Sequence, residues 1–239
     1  MTFLLQDKDL GNIAVTVKAQ SRRFIFRYKD GMLACTSPLP FREHDLRKAI
    51  EELRPKLKAL RQREEEKAKA KRYTPETRID ADDFHLRFQQ QEVPVVSARM
   101  DGDNVVCFYS SPEVLAKDDV QEWITATLEA FARKLVRTRL VPRLLSLAKQ
   151  RGLTVGGVRV SSAKGRWGSC SSNSNINLSL YLVLLPRHLQ DYVMQHELTH
   201  LLEMNHSPRF WALLDKACGC DSHALRREMR GYNTSFINS

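Results

Sequence analysis

Long apolar runs are missing from this 239-residue chain. No stretch approaches the roughly 18 consecutive apolar residues that span a bilayer, so no membrane association is expected. The start, MTFLLQDKDLGNIAV, carries a short apolar patch broken by charge. It lacks a basic opening and a small-residue cleavage site, so it does not read as a secretory leader. Cysteine is scarce as well. Cys35, Cys107, Cys170, Cys218 and Cys220 are odd in number and scattered, which suits reduced thiols in a cytoplasmic setting rather than a disulfide framework. The Cys218-x-Cys220 pair has no second pair to complete a structural zinc site and reads as a helix end. No internal repeat and no low-complexity segment stands out.

What is present suits a globular protein. Hydrophobic residues make up 42% of the chain and charged residues 28%, enough for a core inside an ordinary polar surface. The formal net charge of +10 draws in anionic partners by Coulomb steering and keeps nucleotides and nucleic acid open beside a peptide or protein substrate. Arg133, Lys134, Arg137, Arg139 and Arg143, with Arg226, Arg227 and Arg230 near the C-terminus, either form one positive face or lie dispersed. Dispersal is the expected arrangement.

Period-two patterns place strands over 13–17 and a hairpin over 22–37 turning at Lys29-Asp30-Gly31. Leucine and isoleucine at steps of three or four then predict a helix from Glu43 to about Arg72, kinked or divided at Pro55. Its tail, RQREEEKAKAKR, reads as a solvated helix end. Strands return over 84–110, built from FHLRF, VPVVSARM and NVVCFYS. A long helix from about Lys117 toward Arg151 is expected to bend or split at Pro142. LTVGGVRVSS is a strand candidate, 164–175 is a polar loop, and the strand-like run over 176–184 is a candidate edge strand able to pair with an extended peptide.

The chemistry is concentrated after Pro186. HLQDYVMQHELTHLLE, residues 188–203, predicts a helix with one buried side, and within it lies H-E-x-x-H as His196, Glu197 and His200. Four residues advance a helix by slightly more than one turn, so the two imidazoles share a face and can ligate one zinc ion at about 2.0–2.1 Å each. Glu197 sits one residue further round, placed to take a proton from a zinc-bound water. The bare motif arises by chance in a chain of this composition roughly once in a hundred. His206 follows six residues after His200. A left-handed Asn205 would end the helix, Ser207 would cap the next one and Pro208 would open it, leaving His206 on the link as a third ligand. The spacing H-E-x-x-H-x5-H matches that of metzincins, although Glu203 stands where those carry glycine. Three neutral ligands and one open position describe a catalytic zinc.

Those residues also carry a resemblance. R-W-G-S-C, N-I-N-L and H-E-L-x-H-x5-H-S-P-x-F-W occur in one order, and the chain resembles the YgjP-like metallohydrolases, a WLM- and SprT-related group, closely over 158–214 and more loosely before it. The resemblance implies a minimal zincin fold with the ligand helix packed on a small sheet. The expected architecture is therefore α+β: an N-terminal β-rich region with one long helix over 1–114, then a zincin-like metallohydrolase domain over 115–239. The expected activity is zinc-dependent peptide-bond hydrolysis. A metal-dependent phosphohydrolase acting on nucleotides, a nucleic-acid-associated protease and a non-catalytic metal-binding module are the alternatives. Arg166 and Ser169, in the Gly-containing loop KGRWGSC, are candidates for steadying a substrate or an oxyanion, against the plainer reading of a tight turn with Trp167 in the core.

Overall fold

The computed structural model describes residues 2–29, 31–70, 72–92 and 95–237. They fall into two compact units, residues 1–72 and 73–239. The first begins with β1 (Thr2–Asp7), β2 (Gly11–Val17), β3 (Ile25–Lys29) and β4 (Met32–Ser37), ordered β1-β2-β4-β3. The expected hairpin of 22–37 is β3 against β4; its turn residue Asp30 lies outside the described residues. Alternation along β2 and β4 sends Ile13, Val15, Leu33 and Cys35 inward against Leu46, Ile50 and Leu57 of α1 (Glu43–Ala70). Pro55 does not divide that helix, which runs unbroken through it. Of its charged tail, the side chains of 67–71 lie outside the described residues; Arg61 pairs with Glu65.

One ion pair ties the first turn of this unit to its helix. Asp7 Oδ1 accepts the amides of Asp9 and Leu10 at 2.9 Å each, while Arg54 forks onto both Asp7 oxygens at 2.9 Å. The Arg54 guanidinium is the main reason that the Asp7 carboxyl sits far below the usual carboxylate range. A depressed folded-state pKa gives stability that is present above the unfolded value of about 3.9 and is lost as pH falls below it. Arg54→Ala is expected to destabilise the unit near neutrality, because it leaves the Asp7 carboxylate without its guanidinium. Denaturant titrations of parent and variant should converge as pH falls from 5 toward 2; a gap independent of pH rejects this role.

The second unit opens with β5 (Ile79–Ala81), β6 (Phe84–Gln90), β7 (Ser97–Asp101) and β8 (Asn104–Tyr109), ordered β5-β6-β8-β7. In both sheets the first two strands pair antiparallel, the second and fourth parallel, and the third and fourth antiparallel. β4 and β8 even bury matching positions, Leu33 and Cys35 against Val105 and Cys107. The chain therefore does contain an internal repeat, one of topology rather than of residues. Val93 and Pro94, within an expected strand, lie outside the described residues.

After β8 come α2 (Pro112–Leu115) and α3 (Asp118–Leu135), a π-helical turn over Val136–Leu140, and α4 (Val141–Gln150). The bend or split expected at Pro142 falls at this turn, with the proline in the first turn of α4 directly behind it. Leu86 and Val105 of the sheet share one apolar core with Ile124, Leu128, Leu144 and Leu198. The expected boundary between 114 and 115 thus falls inside a compact unit, because the second sheet buries its face in the same core as the helices that follow it.

A three-stranded sheet completes the unit: β9 (Gly157–Ser161), β10 (Gly168–Cys170) and β11 (Asn175–Ser179), ordered β10-β11-β9. The stretch 176–184 is not an edge strand. β11 lies between two neighbours, and Leu180–Leu184 winds into a buried 3-10 turn whose Ser179 hydroxyl accepts the Tyr181 amide. The edges are β9 and β10, the latter within the segment expected to be a polar loop. α5 (Arg187–Thr199), α6 (Pro208–Cys218) and α7 (Ser222–Glu228) follow. Among the described residues no helix is long and apolar enough to cross a membrane.

Candidate metal centre

α5 is buried nearly all round rather than along one side. The polar residues on its back tolerate this because they are satisfied: Gln190 donates to Asp83 at 3.0 Å and to the Leu185 carbonyl at 2.9 Å, and Thr199 donates to the Gln195 carbonyl at 2.7 Å. Arg151, at the end of α4, donates to Gln195 Oε1 at 2.8 Å and to Thr199 at 3.2 Å. These bonds hold the back of the helix and leave His196, Glu197 and His200 on its open side.

The helix ends at His200, and the chain turns through 201–207 into α6. Ser207 caps α6 by accepting the Phe210 amide at 3.3 Å, with Pro208 first in the helix, as the spacing predicts. Asn205 is not left-handed: among the described residues Ser174 is the only non-glycine with positive φ, and the link closes instead through the Ser207 amide donating to the Asn205 carbonyl. His206 is thereby returned to the open side of α5. His196, His200 and His206 each present a nitrogen within 4.8 Å of the others. Phe210, fully buried, packs its ring against all three imidazoles at 4.6–4.9 Å.

The donor set fits a metal ion. Nε2 of His196 and Nε2 of His206 approach to 3.0 Å, and two such nitrogens repel unless a proton or a cation lies between them. Tetrahedral zinc, with ligands at about 2.0–2.1 Å, spaces its donors about 3.4 Å apart. His200 Nδ1 donates to the Glu203 carbonyl at 3.2 Å, which orients the ring and directs Nε2 toward the others. So Glu203 contributes its backbone, not its carboxylate. His196 Nδ1 is buried without a partner. Burial, then the charges of His200 and His206, pushes the His196 imidazole down to about 3, so the neutral, ligating form prevails. His206 is shifted downward too, by burial first.

Glu197 is buried beside this cluster, against β10. A methyl group placed on Gly168 would lie 2.7 Å from Glu197 Oε1 and 2.8 Å from its Cγ, so the carboxylate rests on the bare α-carbon of the edge strand. Burial pushes the Glu197 carboxyl up to about 8, with Arg166 opposing the shift. Arg166, Ser169 and Cys170 line the same cleft, of about 480 Å³, as Glu197 and the three histidines. Ser169 Oγ accepts a long bond from Asn177 at 3.5 Å. The Cys170 thiol is held protonated by burial and by Glu197, which is the wrong direction for a nucleophile.

Sequence reasoning missed Gly168 and Arg226. Gly168 reads as a turn residue until its contact with Glu197 is seen. Arg226 was grouped with a basic face, yet it lines an adjoining pocket with Trp167, Tyr192, Val193 and Met229. Four others of that group turn to separate partners: Arg133 donates to the Val160 carbonyl, Arg139 to Asp103, Arg143 to Asp191 and Arg227 to Asp221. Cys218 closes α6 with Gly219 left-handed behind it, the helix end expected there.

An α+β unit whose helix presents H-E-x-x-H toward a third histidine belongs to the metallopeptidase class of architectures. The chain matches the YgjP-like family, metallopeptidase domain, over residues 22–230, and it belongs to that family. The match takes in the N-terminal region, where the resemblance of motifs alone is loose. No curated protein matches. Among solved structures, the metallopeptidase zymogen of Pyrococcus abyssi abylysin is 24% identical over 36% of this chain and 89% of that one, with a TM-score of 0.33.

Proposed function

We propose that this protein is a zinc-dependent peptidase in which His196, His200 and His206 hold the metal and Glu197 is the general base. The observation that carries the reading is the convergence of three imidazoles beside one buried carboxylate at a single cleft. Zinc, when bound, supplies a Lewis acid that polarises a carbonyl and lowers the pKa of water. Glu197 takes the proton of the attacking water and passes it to the leaving amine. Arg166 favours the carboxylate form that this requires and, with Ser169 on the same cleft, would steady the developing oxyanion. β10, with a sheet neighbour on one side only, offers its free edge to an extended peptide next to Glu197.

The discriminating experiment is a parallel screen of metal-analysed protein on casein-like polypeptides and on nucleoside triphosphates. Peptide cleavage that is lost on chelation and restored by zinc supports the reading. Triphosphate cleavage without peptide cleavage replaces it with a phosphohydrolase, a reading for which the cleft supplies one basic side chain, Arg166. His200→Ala should lose both bound metal and activity, because two imidazoles leave zinc under-ligated; stoichiometric zinc in the purified variant counts against His200 as a ligand.

A further inference from the structure

The metal cleft and the smaller pocket beside it share Gly168, His196 and Glu197 as a common wall. A substrate held at the proposed metal therefore has one cavity for the scissile bond and another for a group next to it. The second cavity holds about 200 Å³, room for one side chain, and Trp167, Tyr192, Val193 and Met229 make its walls apolar. One charged side chain outside the catalytic set lines it, Arg226.

Arg226 is held without being neutralised. Its guanidinium carbon lies 5.3 Å from the ring centroid of Trp211, and Trp211 stacks in turn on His223 at 4.1 Å. Stacking of a guanidinium on a ring uses its face and leaves the N–H groups at its edge free to donate. Among the described residues no carboxylate lies within salt-bridge distance of it. The neighbouring basic residue is different: Arg227 has Asp221. A bound dication and Arg166 add to the positive potential here, with Glu197 the sole acidic group lining either cavity. Such a site attracts an anion, and the planar fork of arginine selects a carboxylate.

We propose, building on the peptidase reading above, that Arg226 is a specificity-determining residue that recognises a carboxylate on the substrate residue flanking the scissile bond, while the apolar walls take up that residue's carbon chain. The carboxylate comes from one of two sources, an acidic side chain or the free C-terminus of the peptide. Two matched peptide pairs separate them. One pair places Glu or Gln at the flanking position inside an amidated peptide; the other ends in Leu at that position, with a free or an amidated C-terminus.

The expected result is a kcat/KM about tenfold to a hundredfold higher for the carboxylate member of one pair, the range of a charge-assisted hydrogen bond. That ratio should collapse toward one in Arg226→Met and recover in part in Arg226→Lys, which restores the charge without the fork. Equal rates within both pairs for the parent protein overturn the proposal. So does a preference that survives in Arg226→Met. A second readout does not depend on turnover: binding of 3-phenylpropanoate and of 3-phenylpropanamide to the zinc-loaded protein, followed by calorimetry. Preference for the acid that is lost in Arg226→Met supports the site. Preference that persists there reflects direct coordination of the metal and overturns it. If no peptide is cleaved yet the binding preference depends on Arg226, the peptidase reading falls and the carboxylate site stands.

Discussion

Glu197→Gln is expected to bind zinc as the parent does and to lose about three to four orders of magnitude in kcat, the scale of a general acid–base contribution. Glutamine keeps the volume of the side chain and removes the ionisable oxygen. The packing against Gly168 survives, so the loss reports proton transfer rather than a collapsed site. The three histidines reach their common point from the open side of α5 and from the link after it, and none of their hydrogen bonds involves Glu197. Metal analysis and steady-state kinetics on the same sample decide it. A variant that hydrolyses peptides within tenfold of the parent removes Glu197 from the mechanism.

Gly168→Ala has the second-largest expected effect, although it adds a single methyl group. That methyl would stand 2.7 Å from one carboxylate oxygen of Glu197 and 3.0 Å from the carboxyl carbon. Glu197 is enclosed by its own helix and its walls, so relief must come from moving either the carboxylate or the edge strand. A displacement of about 1 Å in a catalytic group costs on the order of a hundredfold in rate. Activity is therefore expected to fall about a hundredfold with zinc retained. Gly165→Ala is the matched control: it lies in the same loop, and its added carbon meets nothing within 4 Å. Similar kinetics for both alanine variants would show that the contact between Gly168 and Glu197 is catalytically irrelevant.

The features legible in the sequence share a physical cause, in that each is set by neighbours in the chain. The cap at Ser207-Pro208, the helix end at Cys218 and the hairpin before Ser37 depend on local backbone preferences. The spacing of His196, Glu197 and His200 depends on helix geometry alone. What could not be read depends on partners outside the segment itself or on a pattern that fits two structures. The polar residues Gln190 and Gln195 suggest an exposed face for α5, but Asp83 and Arg151 make their burial tolerable. β10 is three residues long in a Ser- and Gly-rich stretch and is a strand because β11 pairs with it. Leu180–Leu184 is apolar throughout, and such a run does not distinguish a strand from a buried turn. Arg226 looked like one member of a basic cluster because charge along a helix does not say which side chain meets a cavity.

The twin sheets have a consequence for how the chain reaches its native state. β4 and β8 carry the same inward alternation, and each pairs with one parallel and one antiparallel neighbour. The inward alternation that fixes register within each sheet is therefore the same in both copies and does not by itself tell one from the other. Synthesis from the N-terminus separates the copies in time, since residues 1–72 emerge before β5 exists. Dilution of the whole chain from denaturant removes that order and presents both copies at once.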